Sequence, residues 1–250
     1  MIILAIAGRE LRSIFHTTVG WLVIAGFLLM TGFFWATMVS FYIVQGADLL
    51  SNPNAAMQMS LTDHLLAPFF GNTAVVLLML SPALSMRLFS EEIKQRTLEL
   101  LLTAPVSTWE IILGKFLGAM GFVGAMLLGT LTVPLSLWLW ASPDPGALFG
   151  GYLSLGLLAA AVISLGMLFS SLSQNQIVAV VLTFSASLAL WILSWVSEDP
   201  QALVVQMSLS SHLQDLATGV VRLSDLAYFA GFVGFFLFAT QQRVDSTRWR

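Results

Sequence analysis

Charged positions leave long gaps along this chain. No Asp, Glu, Lys or Arg occurs in 13–47, and the same gaps return at 64–86, 116–143, 145–197 and 226–242. A helix needs about 20 apolar residues to cross the hydrocarbon core of a bilayer. The first gap predicts a span near 20–44, with Trp21 and Tyr42 as interfacial anchors. The second predicts one near 68–86. The third predicts one over 111–140, beginning inside the preceding charged segment and running to Trp140. The stretch 145–197 is too long for one helix, and its polar turn "SSLSQNQ" (170–176) divides it into spans 148–169 and 177–196. The last gap predicts a short span at 226–242, anchored by Tyr228. The expected fold is an all-α integral membrane protein with six transmembrane helices in a single domain over 1–250.

Composition supports this placement. The chain is 58% hydrophobic and 9% charged, against about 25% charged in an ordinary soluble domain. Its net charge of −3 matters less than where the charges fall. With the N-terminus inside, the inner segments carry Arg9, Arg12, Arg87, Lys94, Arg96, Lys115, Arg243, Arg248 and Arg250, and the outer ones carry Arg222 alone. The positive-inside rule then puts both termini in the cytoplasm and requires an even number of spans. There is no cysteine, so disulfides and thiolate chemistry are excluded. Met1–Ala7 lacks a basic leading segment, so no secretory signal is expected.

Two flanking segments are amphipathic rather than spanning. In 3–16, Leu4, Ala7, Leu11, Ile14 and Phe15 share one face, opposite Arg9, Arg12, Ser13 and His16, which suits an interfacial helix. The segment 198–225 is too apolar for a solvated loop and too polar for a span; a short helix or re-entrant element is expected there, capping the outer face. Span three carries a stripe of small residues, Gly114, Gly118, Gly121, Ala125 and Gly129, which lets a second helix approach closely. Pro134 should bend that span.

The chemistry of enzymes and pumps is missing. There is no H-E-x-x-H, and His16, His64 and His212 fall outside the spans and far apart in sequence. The Gly-Lys of "LGKF" (113–116) is not a P-loop, because Trp109 stands where its first glycine belongs and Phe116 where its Ser/Thr belongs. The predicted spans contain no Asp, Glu, His or Arg that could relay an ion. Energy for any active transport must therefore enter from another subunit, and the chain itself is expected to hold no metal or cofactor.

The segment 87–110 is where that energy would enter. Ser90 is placed to cap a helix with Glu91 and Glu92 in its first turn. Ile93, Leu98, Leu100, Leu101 and Leu102 give that helix an apolar side, and it ends at Thr103-Ala-Pro105. Ser107-Thr-Trp-Glu110 is a capping box for the helix leading into span three. Mixed charges interspersed with leucines fit protein docking better than a bed of headgroups, from which acids gain nothing.

The stretch "EEIKQRTLELLLTAPVSTWEIILGKFLGA" (91–119) resembles the loop after the second membrane helix in ABC-2 type transporter permeases, in their gliding-motility and NosY-like branch. Residues 9–35 and 211–229 resemble that group's N-terminal region and last outer loop, so the likeness covers essentially the whole chain. Relatives often carry a glycine before the threonine where this chain has Arg96. The resemblance implies a non-catalytic subunit in the bacterial inner membrane that works as a dimer with itself or a homologous permease. A separate pair of ABC ATPase subunits would bind ATP and Mg2+. Residues 3–16, with Arg9, Glu10 and Arg12, would be the connecting helix. The helix near 91–102, with Glu91, Glu92, Lys94, Arg96, Thr97, Leu98 and Glu99, would be the coupling helix that docks the ATPase. No nucleic-acid partner is implied. Export is the resemblance's usual activity; the alternative is a membrane subunit that passes ATP-driven motion to an extracytoplasmic or membrane-anchored accessory protein.

Overall fold

The computed structural model describes residues 2–49, 60–97, 106–139, 141–197, 199 and 201–248. All regular structure among them is helical: α1 (Ile2–His16), α2 (Thr18–Leu49), α3 (Ala67–Ser85), α4 (Arg87–Lys94), α5 (Thr108–Leu135), α6 (Pro145–Leu172), α7 (Gln176–Ile192), α8 (Leu203–Gln206), α9 (Leu209–Ala217) and α10 (Leu223–Arg248). A π-helical turn, Thr62–Leu66, leads into α3. Six stretches are long and apolar enough to cross a membrane: Thr18–Val44, Thr62–Lys94, Thr108–Leu139, Pro145–Leu172, Gln176–Trp195 and Leu223–Ser246. The six-span helical fold is therefore present. Trp140, the expected end of span three, lies outside the described residues, as do Glu198 and Arg250.

The six spans are not equivalent. The most apolar windows of α3, α5 and α6 are 61%, 56% and 67% buried, whereas those of α2, α7 and α10 are 11%, 17% and 22% buried. So α3, α5 and α6 form the core, and the other three lie around it with apolar faces turned outward. Span four, α6, sits at the centre and packs against α3, α5, α7, α9 and α10. Its small residues make this possible. A Cβ on Gly151 would fall 2.1 Å from the Phe70 ring of α3, and one on Gly166 would fall 1.9 Å from Ser85 Oγ. With no hydrophobic drive between helices in lipid, such close approach supplies the packing.

Local chemistry sets the helix ends. At the α1–α2 junction the Thr17 hydroxyl donates to Ile14 O at 2.7 Å, and a Cβ on Gly20 would lie 2.2 Å from that same carbonyl. The chain folds back there so tightly that only glycine fits. Asp144 caps α6 through Gly146 N–H at 2.9 Å with Pro145 at the first helical position, and Asn175 caps α7 through Ile177 N–H at 2.9 Å. The turn 173–175 thus separates α6 from α7, within the polar stretch that divides the long apolar run.

Candidate functional site

The charged groups converge at one end of the bundle, where α1, α4 and the start of α5 meet. The end of α4 and the first turns of α5 lie beside α1 because α1 runs along α5 for most of its length. The small residues of α5 make that contact. A Cβ on Gly114 would lie 2.7 Å from Ile6 Cβ, and one on Gly118 would lie 2.7 Å from Glu10 Cβ and 3.0 Å from Ala7 O. Gly121 faces Leu11, while Gly129, farther along, faces Leu28 of α2. Ala125 is half-buried. The neighbours of the stripe are this chain's own first two helices.

This packing keeps Ala7, Leu11, Ile14 and Phe15 of the expected apolar face of α1 inward and corrects the placing of Leu4. The inner face of the helix is Ile3, Ile6, Ala7, Glu10, Leu11 and Ile14, and Leu4 is 72% exposed. Apolar character alone grouped Leu4 with Ala7 and Leu11, but the helix is rotated so that Glu10 points inward. Glu10 does so because a partner waits for it.

That partner is Lys115 of α5, whose side chain is 1% exposed. Its ammonium Nζ donates to Glu10 Oε1 at 3.0 Å and to Glu92 Oε1 of α4 at 2.7 Å. Arg9 Nη2 lies 3.1 Å from Glu10 Oε1 and 3.7 Å from Glu92 Oε1. The Phe89 ring stands 5.3 Å from the ammonium. The one fully buried charge, Lys115, is thus paired with two partly buried carboxylates, and Arg9 balances them from the exposed side, which is the condition under which buried charge is tolerated. Three helices distant in sequence are joined at one point. Lys115 was counted only among the charges of the segment, and "LGKF" was read mainly for what it is not. The available signal was a lysine between Gly114 and Gly118, on the side of α5 that a second helix must cover.

The same region corrects the expected helix over 91–102. The helix that carries Glu91 and Glu92 begins at Arg87 and ends at Lys94, so both carboxylates lie near its C-terminal end. Ser90 does not cap it. Ser90 is buried inside α4, and its hydroxyl donates to Met86 O. The true anchor of this helix is Ser170 at the far end of α6. Ser170 Oγ accepts Phe89 N–H and Ser90 N–H, each at 3.0 Å, and donates to Met86 O at 2.6 Å. A hydroxyl in the last turns of α6, within the polar stretch 170–176 expected only to divide two spans, therefore pins the α3–α4 joint to span four.

After Lys94 the chain turns at Gln95 and Arg96, and Arg96 has φ of +56°. This left-handed conformation at a helix C-terminus favours glycine. Lys94, Arg96 and Thr97 are exposed, Glu91 is half-buried with its carboxylate on Gln95 Nε2 at 3.3 Å, and Glu92 is turned onto Lys115. Arg12 is exposed on α1. Leu98 and Glu99, with Leu100–Pro105, lie outside the described residues. The Ser107 capping box forms: Glu110 N–H donates to Ser107 Oγ at 3.2 Å, and Ser107 N–H donates to Glu110 Oε2 at 2.9 Å. Next to it, Thr108 Oγ1 donates to Asp245 Oδ1 of α10 at 2.6 Å, which brings the last span to the same end. Between α1 and α4 the surface forms a recess of about 290 Å3 lined by Arg9, Ser13, Arg87, Glu91 and Gln95. The exposed charges around this anchored short helix, Arg9, Arg12, Lys94 and Arg96, are cationic, with the half-buried Glu91 carboxylate beside them.

At the opposite end, α9 covers α6, α8 packs on the turn Leu193–Trp195 and on α9, and His212 of α9 meets the start of α10. His212 Nδ1 lies 2.7 Å from Asp225 Oδ1, Nε2 lies 2.9 Å from Gln206 O, and the ring stacks on Tyr228 at 4.1 Å between centroids. Asp225 is 4% exposed within the span-six stretch, so α10 extends beyond the ion-free window 226–242.

A family model described as "ABC-2 family transporter protein" matches residues 4–214. Two curated relatives, described as "Probable multidrug ABC transporter permease YbhR" from Escherichia coli (strain K12) and Escherichia coli O157:H7, are each 30% identical over 87 residues. The matched stretch is 35% of this chain and 23% of each relative, so it spans a minor part of either relative's length.

Proposed function

Because the chain belongs to the ABC-2 family of transporter proteins, we propose that it is the membrane permease subunit of an ATP-binding cassette exporter, driven by a separate ATPase that docks on α4 and the turn after it. The observation that carries this reading is the Lys115 cluster. It ties the helix that ends at exposed Lys94, and with it the turn carrying exposed Arg96, to both α1 and span three. A push on α4 cannot separate Glu92 from Lys115 without stranding buried charge, so it is passed into α5 and α1 together. In this reading α1 lies in the cytoplasmic interface, both termini face the cytoplasm, and ATP and Mg2+ bind the partner alone. The permease pairs with a second copy or a homologue, and the chain falls in the gliding-motility and NosY-like branch.

The test is co-purification of the ATPase with variants at the exposed positions. Lys94→Glu with Arg96→Glu should release the ATPase and lower its transport-coupled hydrolysis while the permease stays folded. Retention of the partner with unchanged activity would remove the docking role.

A second reading has its own support. Leu203, Met207 and Leu223 are 78%, 59% and 81% exposed at the end away from α1. Such an apolar surface suits an extracytoplasmic accessory protein that receives the motion in place of a transported cargo. Deleting the side chains with Leu203→Ser and Met207→Ser should then abolish function while ATPase binding and hydrolysis persist.

A further inference from the structure

Under α9, at the end of the bundle away from α1, a cavity of about 310 Å3 opens between spans two, four and five. Phe70 and Ala74 of α3, Trp191 of α7 and Leu213 of α9 form its walls. Among the described residues no charged side chain lines it.

The polar atoms of its lining are arranged in one sense. Ser154 Oγ donates to Gly151 O at 2.7 Å and Thr218 Oγ1 donates to Asp215 O at 2.8 Å. Each of these two hydroxyl protons is spent on a backbone carbonyl, so the two groups can offer a ligand only acceptor lone pairs. Ser210 Oγ is already engaged by Trp191 O at 2.8 Å, Ser194 Oγ at 2.7 Å and Ser208 Oγ at 3.0 Å, and serves as wall. The carboxamide of Gln214, at the exposed rim, makes no hydrogen bond to a described residue and can both donate and accept. A carboxylate would find no cation there, and an ammonium would find no anion. A hydroxyl head would find both an acceptor and a donor, with its hydrocarbon chain along Phe70, Ala74 and Leu213. The volume falls at the low end of small-molecule sites, which are concave, mostly apolar and carry a few convergent polar groups.

We propose that this cavity binds a neutral, single-chain, hydroxyl-bearing amphiphile taken from the adjacent bilayer leaflet, with its head at Gln214 and its chain beneath α9. The site depends only on the membrane placement of the helices, so it stands or falls separately from ATPase docking.

Gly71 provides a means of closing the cavity. It lies on the lining, and a Cβ built on it meets nothing within 4 Å. Gly71→Phe therefore fills the space with little strain at its root. The experiment uses the purified full chain in lipid nanodiscs with a photoactivatable dodecanol and, in parallel, the matching dodecanoate. Labelled peptides are mapped by mass spectrometry. Dodecanol labelling should concentrate on the peptides holding Phe70 and Leu213, be competed by unlabelled dodecanol, and exceed dodecanoate labelling there. Gly71→Phe should remove most of it. Gln214→Leu, an exposed change that leaves the packing untouched, should weaken competition about fivefold, the worth of about one hydrogen bond. Equal labelling of the lipid-facing helices α2 and α7 would overturn the proposal, as would labelling unchanged in both variants. Labelling by dodecanoate equal to that by dodecanol would overturn the assignment of a neutral head.

Discussion

Lys115 Nζ sits 2.7 Å from Glu92 Oε1 although the two residues belong to different helices on either side of a connecting segment. The ammonium is almost fully buried, and its second carboxylate comes from Glu10, which is 105 positions away in the chain. A lone ammonium at this depth would be costly, and so would either carboxylate without it. The cluster therefore works as a unit, and its members are expected to show strong mutual dependence under substitution.

Lys115→Met keeps the length and apolar stem of the side chain but leaves Glu10 and Glu92 facing each other with only Arg9 nearby. Removal of one member of a buried charge pair costs about 3–5 kcal/mol. The unfolding temperature in detergent, followed by tryptophan fluorescence, should fall by on the order of 10 °C. The triple variant Lys115→Met, Glu10→Gln, Glu92→Gln should recover most of that loss. If the triple variant were the sum of its parts, the cluster would not be a unit.

Gly118 and Gly124 are both glycines of α5, and only one carries a close contact. A Cβ on Gly118 would press on Glu10 Cβ at 2.7 Å and Ala7 O at 3.0 Å, whereas one on Gly124 meets nothing within 4 Å. Gly118→Ala should push α1 away from span three and lower stability by about 1–3 kcal/mol. Gly124→Ala should be neutral or stabilising by about 0.5 kcal/mol through its better helix propensity. Limited proteolysis near the α1–α2 junction reads the first effect, because a detached α1 exposes Thr17 and its neighbours.

The spans were legible because membrane helices announce themselves by what they lack. Gaps in charge of about 20 residues are imposed by bilayer thickness, and no tertiary detail can overrule them. The Ser107 capping box was legible for a similar reason: both partners lie within one turn. What could not be read were relationships between distant segments. Ser90 has the residue type of a helix cap, but whether it caps depends on where the previous helix stops. Span two instead continues through Met86, and Ser170 takes the orphan N–H groups. Leu4 falls outside the expected inner face of α1 because apolar pattern alone takes no account of Glu10, whose inward place depends on Lys115 opposite it. The tight glycines of α6, Gly151 and Gly166, were missed for want of a regular spacing; Gly151 answers Phe70, and Gly166 answers Ser85 and Thr183.

Ser170→Ala leaves two N–H groups, those of Phe89 and Ser90, without their buried acceptor and removes the donor to Met86 O. A buried group left unsatisfied costs about 1–3 kcal/mol. The variant should be destabilised by about 2 kcal/mol and should loosen the joint between α3 and α4. Hydrogen exchange at Phe89 and Ser90 should accelerate while exchange in the middle of α6 stays unchanged. Equal acceleration along all of α6 would indicate a general loss of packing and not a local pin.

His212→Phe keeps the ring against Tyr228 but deletes both polar contacts, leaving Asp225 buried with no imidazole at 2.7 Å. Asp225→Asn in the same chain removes the stranded charge. The single His212 variant should destabilise the segment α8–α9 by about 2–4 kcal/mol, the cost of leaving one partner of a buried hydrogen-bonded pair alone. Adding Asp225→Asn should restore part of it. The readout is protease cleavage within 203–217, where the contacts of Gln206 and Met207 to His212 and Tyr228 hold the short helices down.

Arg96 separates stability from docking at a single residue. Its φ of +56° places an L side chain in the left-handed region, which costs a non-glycine residue about 1 kcal/mol or more. Its side chain is exposed and makes no part of the Lys115 cluster. Arg96→Gly should therefore raise the unfolding temperature of the isolated permease, in proportion to about 1 kcal/mol relieved at the turn and offset in part by the greater freedom of glycine in the unfolded chain. If α4 and its turn receive the ATPase, the same substitution should weaken ATPase retention by removing a cation from the docking surface. Arg96→Asn, which tolerates the left-handed conformation better than most residues, should match glycine in docking loss while gaining less stability. A permease that became more stable and held its ATPase just as well would leave Arg96 with the strain at the turn alone and move the docking contact to Lys94 and Thr97.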